Sequence, residues 1–139
     1  MSADYIIKLL AGCEALSGFL ISADYSPKEN RSVCVMPCGF ETTERGYCDG
    51  SSVKACEFEL VLRLSADRDK SLENRRLLEE IEKGLEAYGS YVPFPCTADA
   101  QLPLRIIISE KPALLADDIH SVRYKMKIKV RYYKGKELI

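Results

Sequence analysis

The stretch Val122-Arg123-Tyr124-Lys125-Met126-Lys127-Ile128-Lys129-Val130-Arg131-Tyr132 alternates apolar and basic residues without a break. Successive side chains of an extended chain point to opposite faces, so this period of two predicts a half-buried β-strand. One face of it is apolar. The other carries Arg123, Lys125, Lys127, Lys129 and Arg131.

A second alternation runs over Val53–Leu64. Cys56, Phe58, Leu60, Leu62 and Leu64 share one face, and Glu57, Glu59, Val61 and Arg63 share the other. Shorter strands are predicted around these two. Residues 18–26 form one and turn at Ser26-Pro27-Lys28-Glu29-Asn30, and Ser32–Phe40 returns beside it. Pro37 cannot donate to a ladder, which predicts an edge position or a bulge. Leu104–Ser109 is a run with three consecutive isoleucines, predicting a strand buried on both faces.

Two helices complete the pattern. Ile6, Leu9, Leu10, Cys13 and Leu16 recur at helical spacing after Ser2 or Asp4 as cap, and Gly18 supplies the stop. Later, Ser71 caps a helix with Leu72, Leu78, Ile81, Leu85 and Tyr88 on its apolar stripe, and Gly89 closes it. Glu79, Glu80, Glu82, Lys83 and Glu86 cover the rest of its surface. The order helix, strands, helix, strands lacks regular crossovers between strands. It predicts an α+β fold, an antiparallel sheet with two helices packed on one face. The whole chain, 1–139, forms one domain, with mobile loops expected at 41–52, 92–103 and 110–121.

Composition narrows the function classes. With 20 basic and 21 acidic residues the net charge is −1, so a broad phosphate-binding surface is not expected. The first residues lack the basic region of a signal peptide, and no apolar run approaches the ~20 residues of a membrane span. A cytosolic location follows, in which the six cysteines stay reduced.

Cys34, Cys38, Cys48 and Cys56 are the only set that suggests a metal, since four thiolates can hold zinc tetrahedrally. Their spacing lacks a Cys-x2-Cys pair, and Cys56 lies in register with Phe58 and Leu60, so separate thiols are the expectation and no cofactor is implied. The single histidine, His120, lies near Asp117 and Asp118 but has no recognisable nucleophile to serve. Glycine-rich phosphate loops and the Gly-x-Ser-x-Gly elbow are absent. What remains is the basic strand face. Glu57 and Glu59 can pair with part of it across the ladder, yet two glutamates do not neutralise five cations.

The helix beginning Asp4-Tyr5-Ile6-Ile7-Lys8-Leu9-Leu10, the strand Cys56–Leu64, the helix Leu72–Tyr88 and the ending Arg123–Tyr133 resemble, in layout and over nearly the whole chain, the tail terminator and minor capsid (tail completion) proteins of long-tailed phages and prophages. The resemblance implies a non-enzymatic structural protein of the host cytoplasm and the assembled virion. It implies a homo-oligomeric ring, commonly a hexamer, that caps the tail tube and docks it to the head connector. Neither a membrane nor a specific nucleic-acid sequence would be a partner. A head-closure or head–tail joining protein, or a zinc-binding interaction module, are the alternatives. A ring built from heterologous contacts needs two different complementary patches. The basic face (Arg123, Lys125, Lys127, Lys129, Arg131) and the acidic helix surface (Glu79, Glu80, Glu82, Glu86) are the expected pair, with charge reversal at Lys127 and Lys129 expected to weaken assembly.

Overall fold

A computed structural model of the chain describes residues 3–23, 30–65, 71–95, 101–117 and 121–135. In chain order the elements are α1 (Ala3–Ala11), a 3-10 turn (Glu14–Leu16), β1 (Leu20–Ala23), β2 (Ser32–Gly46), β3 (Ser52–Ser65), α2 (Ser71–Glu86), β4 (Gln101–Asp117) and β5 (Ser121–Lys134). The strands form one sheet in the order β1-β2-β3-β5-β4. All neighbours are antiparallel except β1 and β2. The fold is therefore α+β with a mostly antiparallel sheet.

The two alternating segments lie side by side at its centre. Phe58 faces Ile128, Leu60 faces Met126, Leu62 faces Tyr124 and Leu64 faces Val122. Directly opposed residues share a face, and Val33 and Val35 of β2 extend the same face beside Leu62 and Leu60. This face joins Ile6, Leu9 and Leu10 of α1 and Leu78, Ile81 and Leu85 of α2 in one buried cluster. Full burial of each such side chain stabilises the fold by roughly 1.5–3 kcal/mol.

The first helix is shorter than its spacing predicts. It ends at Ala11, and Leu16 reaches the core from the 3-10 turn instead. Tyr88 is the cause. Its buried hydroxyl donates to the Leu9 carbonyl at 2.6 Å, the group that the Cys13 N–H would bind in a continuing helix. Cys13 N–H turns to the Leu10 carbonyl at 3.0 Å. Gly12 makes room for this contact, since a Cβ there would lie 2.8 Å from the Tyr88 oxygen. Gly89 then reverses the chain after α2 with φ of +86°, a conformation that glycine adopts without strain.

Several expectations are corrected. Ser32–Phe40 does not return antiparallel to the strand before it: β1 and β2 run parallel, with Leu20 beside Ser32 and Ala23 beside Val35. β1 spans only four residues. Residues 41–46 continue β2 rather than forming a loop, and 110–117 continue β4. In both strands register shifts absorb the residues that break the pattern: one follows Cys38 where Gly39 has φ of +76°, and another lies between Glu110 and Ala113 around Pro112. Gln101–Pro103, expected in a loop, also belong to β4. Finally, β4 is an edge strand. Of its three isoleucines only Ile106 is fully buried, so the run is not enclosed on both faces. Leu72 is likewise off the apolar stripe of α2 and 58% exposed. Pro37 agrees with expectation, because β1 pairs only with residues 32–35 and leaves Pro37 on an open edge.

Replacing Tyr88 by Phe removes the hydroxyl that ends α1. We expect a stability loss of about 1–2 kcal/mol in urea unfolding. Tyr91→Phe, at a side chain 90% exposed, should leave the unfolding midpoint unchanged.

Candidate functional site: the charged face of the sheet

The face opposite the core cluster is ordered in rows by the ladder register. Cys38, Glu57, Lys129 and Ile107 form one row, and Met36, Glu59, Lys127 and Glu110 the next. Cys34, Val61, Lys125 and Ala113 follow, then Ser32, Arg63, Arg123 and Ala116. At the other end Arg131 lies between Ala55 and Arg105. The five expected cations do share one face. Cys34 and Val61 are buried in its middle, although neither joins the core cluster. Long charged side chains shelter such positions with their aliphatic stems.

Three of the five cations have partners within the chain. Lys129 Nζ lies 3.9 Å from Glu57 Oε1, the pairing expected from the alternation. Lys127 Nζ lies 3.4 Å from Glu110 Oε1. That hydrogen-bonded carboxylate holds the Lys127 ammonium above its ordinary pKa, with smaller contributions from Cys38 and Glu59. Arg131 Nε lies 2.6 Å from Glu44 Oε2, but it forms no aligned hydrogen bond, so this contact is an ion pair only. Glu44 and Glu110 were invisible as partners in the sequence. Both stand in segments that look like loops, and a register shift precedes or follows each. No count of alternation crosses such a shift.

Arg123 and Lys125 have no carboxylate within 4 Å among the described residues. Arg63 joins them, a residue that sequence reasoning assigned to the face but not to the site. It stands directly opposite Arg123, and like charges so placed oppose the ladder. Its Nη1 donates to Ser121 Oγ at 3.1 Å, while its buried Nε has no partner. The surplus of positive charge thus collects at one end of the face, at Arg63, Arg123 and Lys125.

The acidic surface is on α2. Glu79, Glu80 and Glu86 are exposed and Glu82 is half-buried. None of the four has a cation within 4 Å among the described residues.

At the other end of the charged face lies a groove of about 450 Å³, lined by Glu44, Arg45, Tyr47, Val53, Leu104, Arg105 and Arg131. The turn that borders it is fixed locally. Asp49 accepts hydrogen bonds from the Ser51 N–H at 3.0 Å and the Ser51 hydroxyl at 2.5 Å, which hold its carboxyl below the usual range. Tyr47 packs against Tyr133 of β5 with ring centroids 6.5 Å apart.

The cysteines do not converge. Cys34 and Cys38 belong to the charged face, Cys56 faces the core cluster, and Cys48 is exposed near the β2–β3 turn. The four thiols of the zinc alternative, Cys34, Cys38, Cys48 and Cys56, are thus not brought together, and among the described residues no group of three or more His, Cys, Asp or Glu is placed to hold a metal ion. Burial pushes the Cys56 thiol up to about 11 and raises that of Cys13. Cys96, Asp118 and His120 lie outside the described residues, as does the side chain of Asp117. No described helix is long and apolar enough to cross a membrane. Compared with models of known protein families and with the sequences of characterised proteins, the chain matches none.

Two outcomes check this geometry. Lys127→Glu with Lys129→Glu places carboxylates beside Glu110, Glu59 and Glu57, and should lower the melting temperature. Arg123→Glu removes the clash with Arg63 and should raise it or leave it unchanged; calorimetry at low salt separates the two. In thiol titration at pH 8, Cys48 should react at once. Cys56, whose thiol burial pushes up to about 11, and Cys13, which is buried and raised in the same direction, should react only on unfolding.

Proposed function

We propose that the chain is a structural, non-catalytic subunit of a long-tailed phage or prophage. It assembles as a homo-oligomeric ring, of six copies as in the proteins it resembles, at the end of the tail tube. There it joins the tail to the head connector, so its places of action are the host cytoplasm during assembly and the finished virion.

One observation carries the reading. A single protomer presents a cationic end of the sheet face and, on α2, a surface of mixed charge with an excess of carboxylates, where Arg75, Arg76 and Lys83 are exposed among the glutamates. Arg63, Arg123 and Lys125 hold cations without carboxylates, and α2 holds Glu79, Glu80 and Glu86 without cations. Two different complementary patches on one subunit are what a heterologous, ring-closing contact requires. A two-fold dimer would instead need one self-complementary patch. The pairing of Lys127 with Glu110 and of Lys129 with Glu57 moves the free charge toward the Ser121 end of β5. Assembly therefore depends less on Lys127 and Lys129 than the alternation suggests.

Charge-driven contacts between surfaces weaken as salt screens them, over a Debye length of about 10 Å at 0.1 M and about 3 Å at 1 M. Light scattering after size exclusion should show an oligomer at low salt that dissociates as salt is raised. A monomer at every concentration and ionic strength overturns the reading.

A further inference from the structure

Toward the Ser52 end of β3 the charged face changes character. β3 contributes short side chains there, Val53 and the buried Ala55, where Glu57 and Glu59 stand further along. The neighbouring strands carry longer ones. Arg45 of β2 stands opposite Val53, Arg131 of β5 opposite Ala55, and Arg105 of β4 opposite Arg131. Short residues between longer flanks leave the groove of about 450 Å³, which Glu44, Tyr47 and Leu104 complete. Small-molecule sites have volumes of that order, ~300–1,000 Å³.

The charge of the groove is unbalanced. Glu44 is the one carboxylate of its lining, and Arg131 takes it up. Arg45 and Arg105 are exposed and have no carboxylate within 4 Å among the described residues. Three arginines against one glutamate leave a formal charge of +2. Arg105 and Arg131 also face each other across the ladder, a like-charge pair that costs stability unless an anion offsets it. Arginine does not lose its charge in a protein, so no change of protonation relieves the excess.

The form of the excess selects among anions. A carboxylate brings one charge and two oxygens. A phosphate monoester brings close to two charges at pH 7 and three acceptor oxygens, and planar guanidinium groups grip it with two parallel hydrogen bonds. Arg45 and Arg105 stand on strands three ladder spacings apart, about 14 Å, so a group between them is met from both sides. The walls add a second demand. Tyr47 and Leu104 are 45% and 41% exposed, and an apolar body would cover them. Tyr47 is held in place by Tyr133 and by the Asp49–Ser51 turn, so its ring offers a planar body a surface to stack on.

We propose that this groove binds a small phosphate monoester with a planar, apolar body. The phosphoryl oxygens lie between Arg45 and Arg105, and the body packs against Tyr47, Val53 and Leu104. Binding here is independent of the ring reading, since one copy supplies every lining residue.

The test is titration with phenyl phosphate, followed by NMR of the backbone amides, with circular dichroism to show that each variant is folded. Saturable shifts are expected at Arg45, Tyr47, Leu104 and Arg105. Phenol lacks the charge, inorganic phosphate lacks the body and benzoate lacks the second charge. Each should bind at least about tenfold more weakly than phenyl phosphate, as should phenyl phosphate to Arg105→Gln or Arg45→Gln. Arg105→Gln removes a like-charged neighbour of Arg131, so its melting temperature should not fall. Lys111→Gln removes an equal charge from an exposed position of β4 outside the groove and should leave the affinity unchanged. The proposal is overturned if phenyl phosphate gives no saturable shifts, or if inorganic phosphate or benzoate binds as tightly. It is equally overturned if Lys111→Gln weakens binding as much as Arg105→Gln, because the attraction is then diffuse. None of these outcomes touches the ring reading, which light scattering decides separately.

Discussion

The structure depends on the unbroken ladder between β3 and β5. Fourteen consecutive pairs run from Ser52–Lys134 to Ser65–Ser121 without a register shift. A slip of one residue in either strand would carry Phe58, Leu60, Met126 and Ile128 to the charged face and bring lysines into the core. Burying unpaired ammonium groups is far costlier than any single pairing on that ladder could offset. The register is thus set by the alternation itself, and everything else is hung on it. β2 and β4 flank the ladder with bulges, and both helices contribute to the cluster on its apolar side.

Fixing the apolar face also fixes where five cations must go. An open sheet face with that density of like charge needs compensation, and the flanking strands supply part of it. Glu57 comes from the ladder partner, Glu44 from the extended arm of β2 and Glu110 from the edge strand β4. Exposed pairs of this kind contribute little each, about 0–1 kcal/mol. Their main consequence is to sort the cations into satisfied and unsatisfied. Among the described residues, the cations without a carboxylate within 4 Å lie at Arg63, Arg123 and Lys125 and, beyond Arg131, at Arg105 and Arg45.

This division explains what the sequence makes legible. Period-two alternation identified β3, β5 and their faces residue by residue, because on those strands no bulge intervenes. The core residues Leu78, Ile81, Leu85 and Tyr88 were legible from helical spacing in the same way. The early end of α1 was not, because the group that ends it, Tyr88, stands 79 residues away from Leu9. The strand character of 41–46 and 110–117 was hidden by Gly39 and Pro112, residues that normally mark loops. Here they sit at bulges, where an extra residue or a missing N–H is tolerated. The partners of Lys127 and Arg131 were lost with those segments. Leu72 was misplaced for a simpler reason: it stands six residues before Leu78, a spacing that puts it on the outward side of α2, and the period of Leu78, Ile81 and Leu85 runs back to the buried Asn74 instead.

The sheet's edges bear on which surfaces of the chain are open to another strand. The outer edge of β4 carries Pro103, Pro112 and Lys111, and four register shifts interrupt its pairing with β5. The opposite edge begins with a β1 of only four residues. Short edges, prolines, lysines and bulges are the devices that prevent sheets from pairing edge to edge. Growth by adding strands from another copy is thereby disfavoured at both sides. Side-chain surfaces are what remain open, and those with charges that lack an oppositely charged partner within 4 Å among the described residues are one end of the sheet face, a groove with arginines at its rim and the outward side of α2. The alternation that began as a sign of a half-buried strand thus also decides which surfaces remain open to a partner.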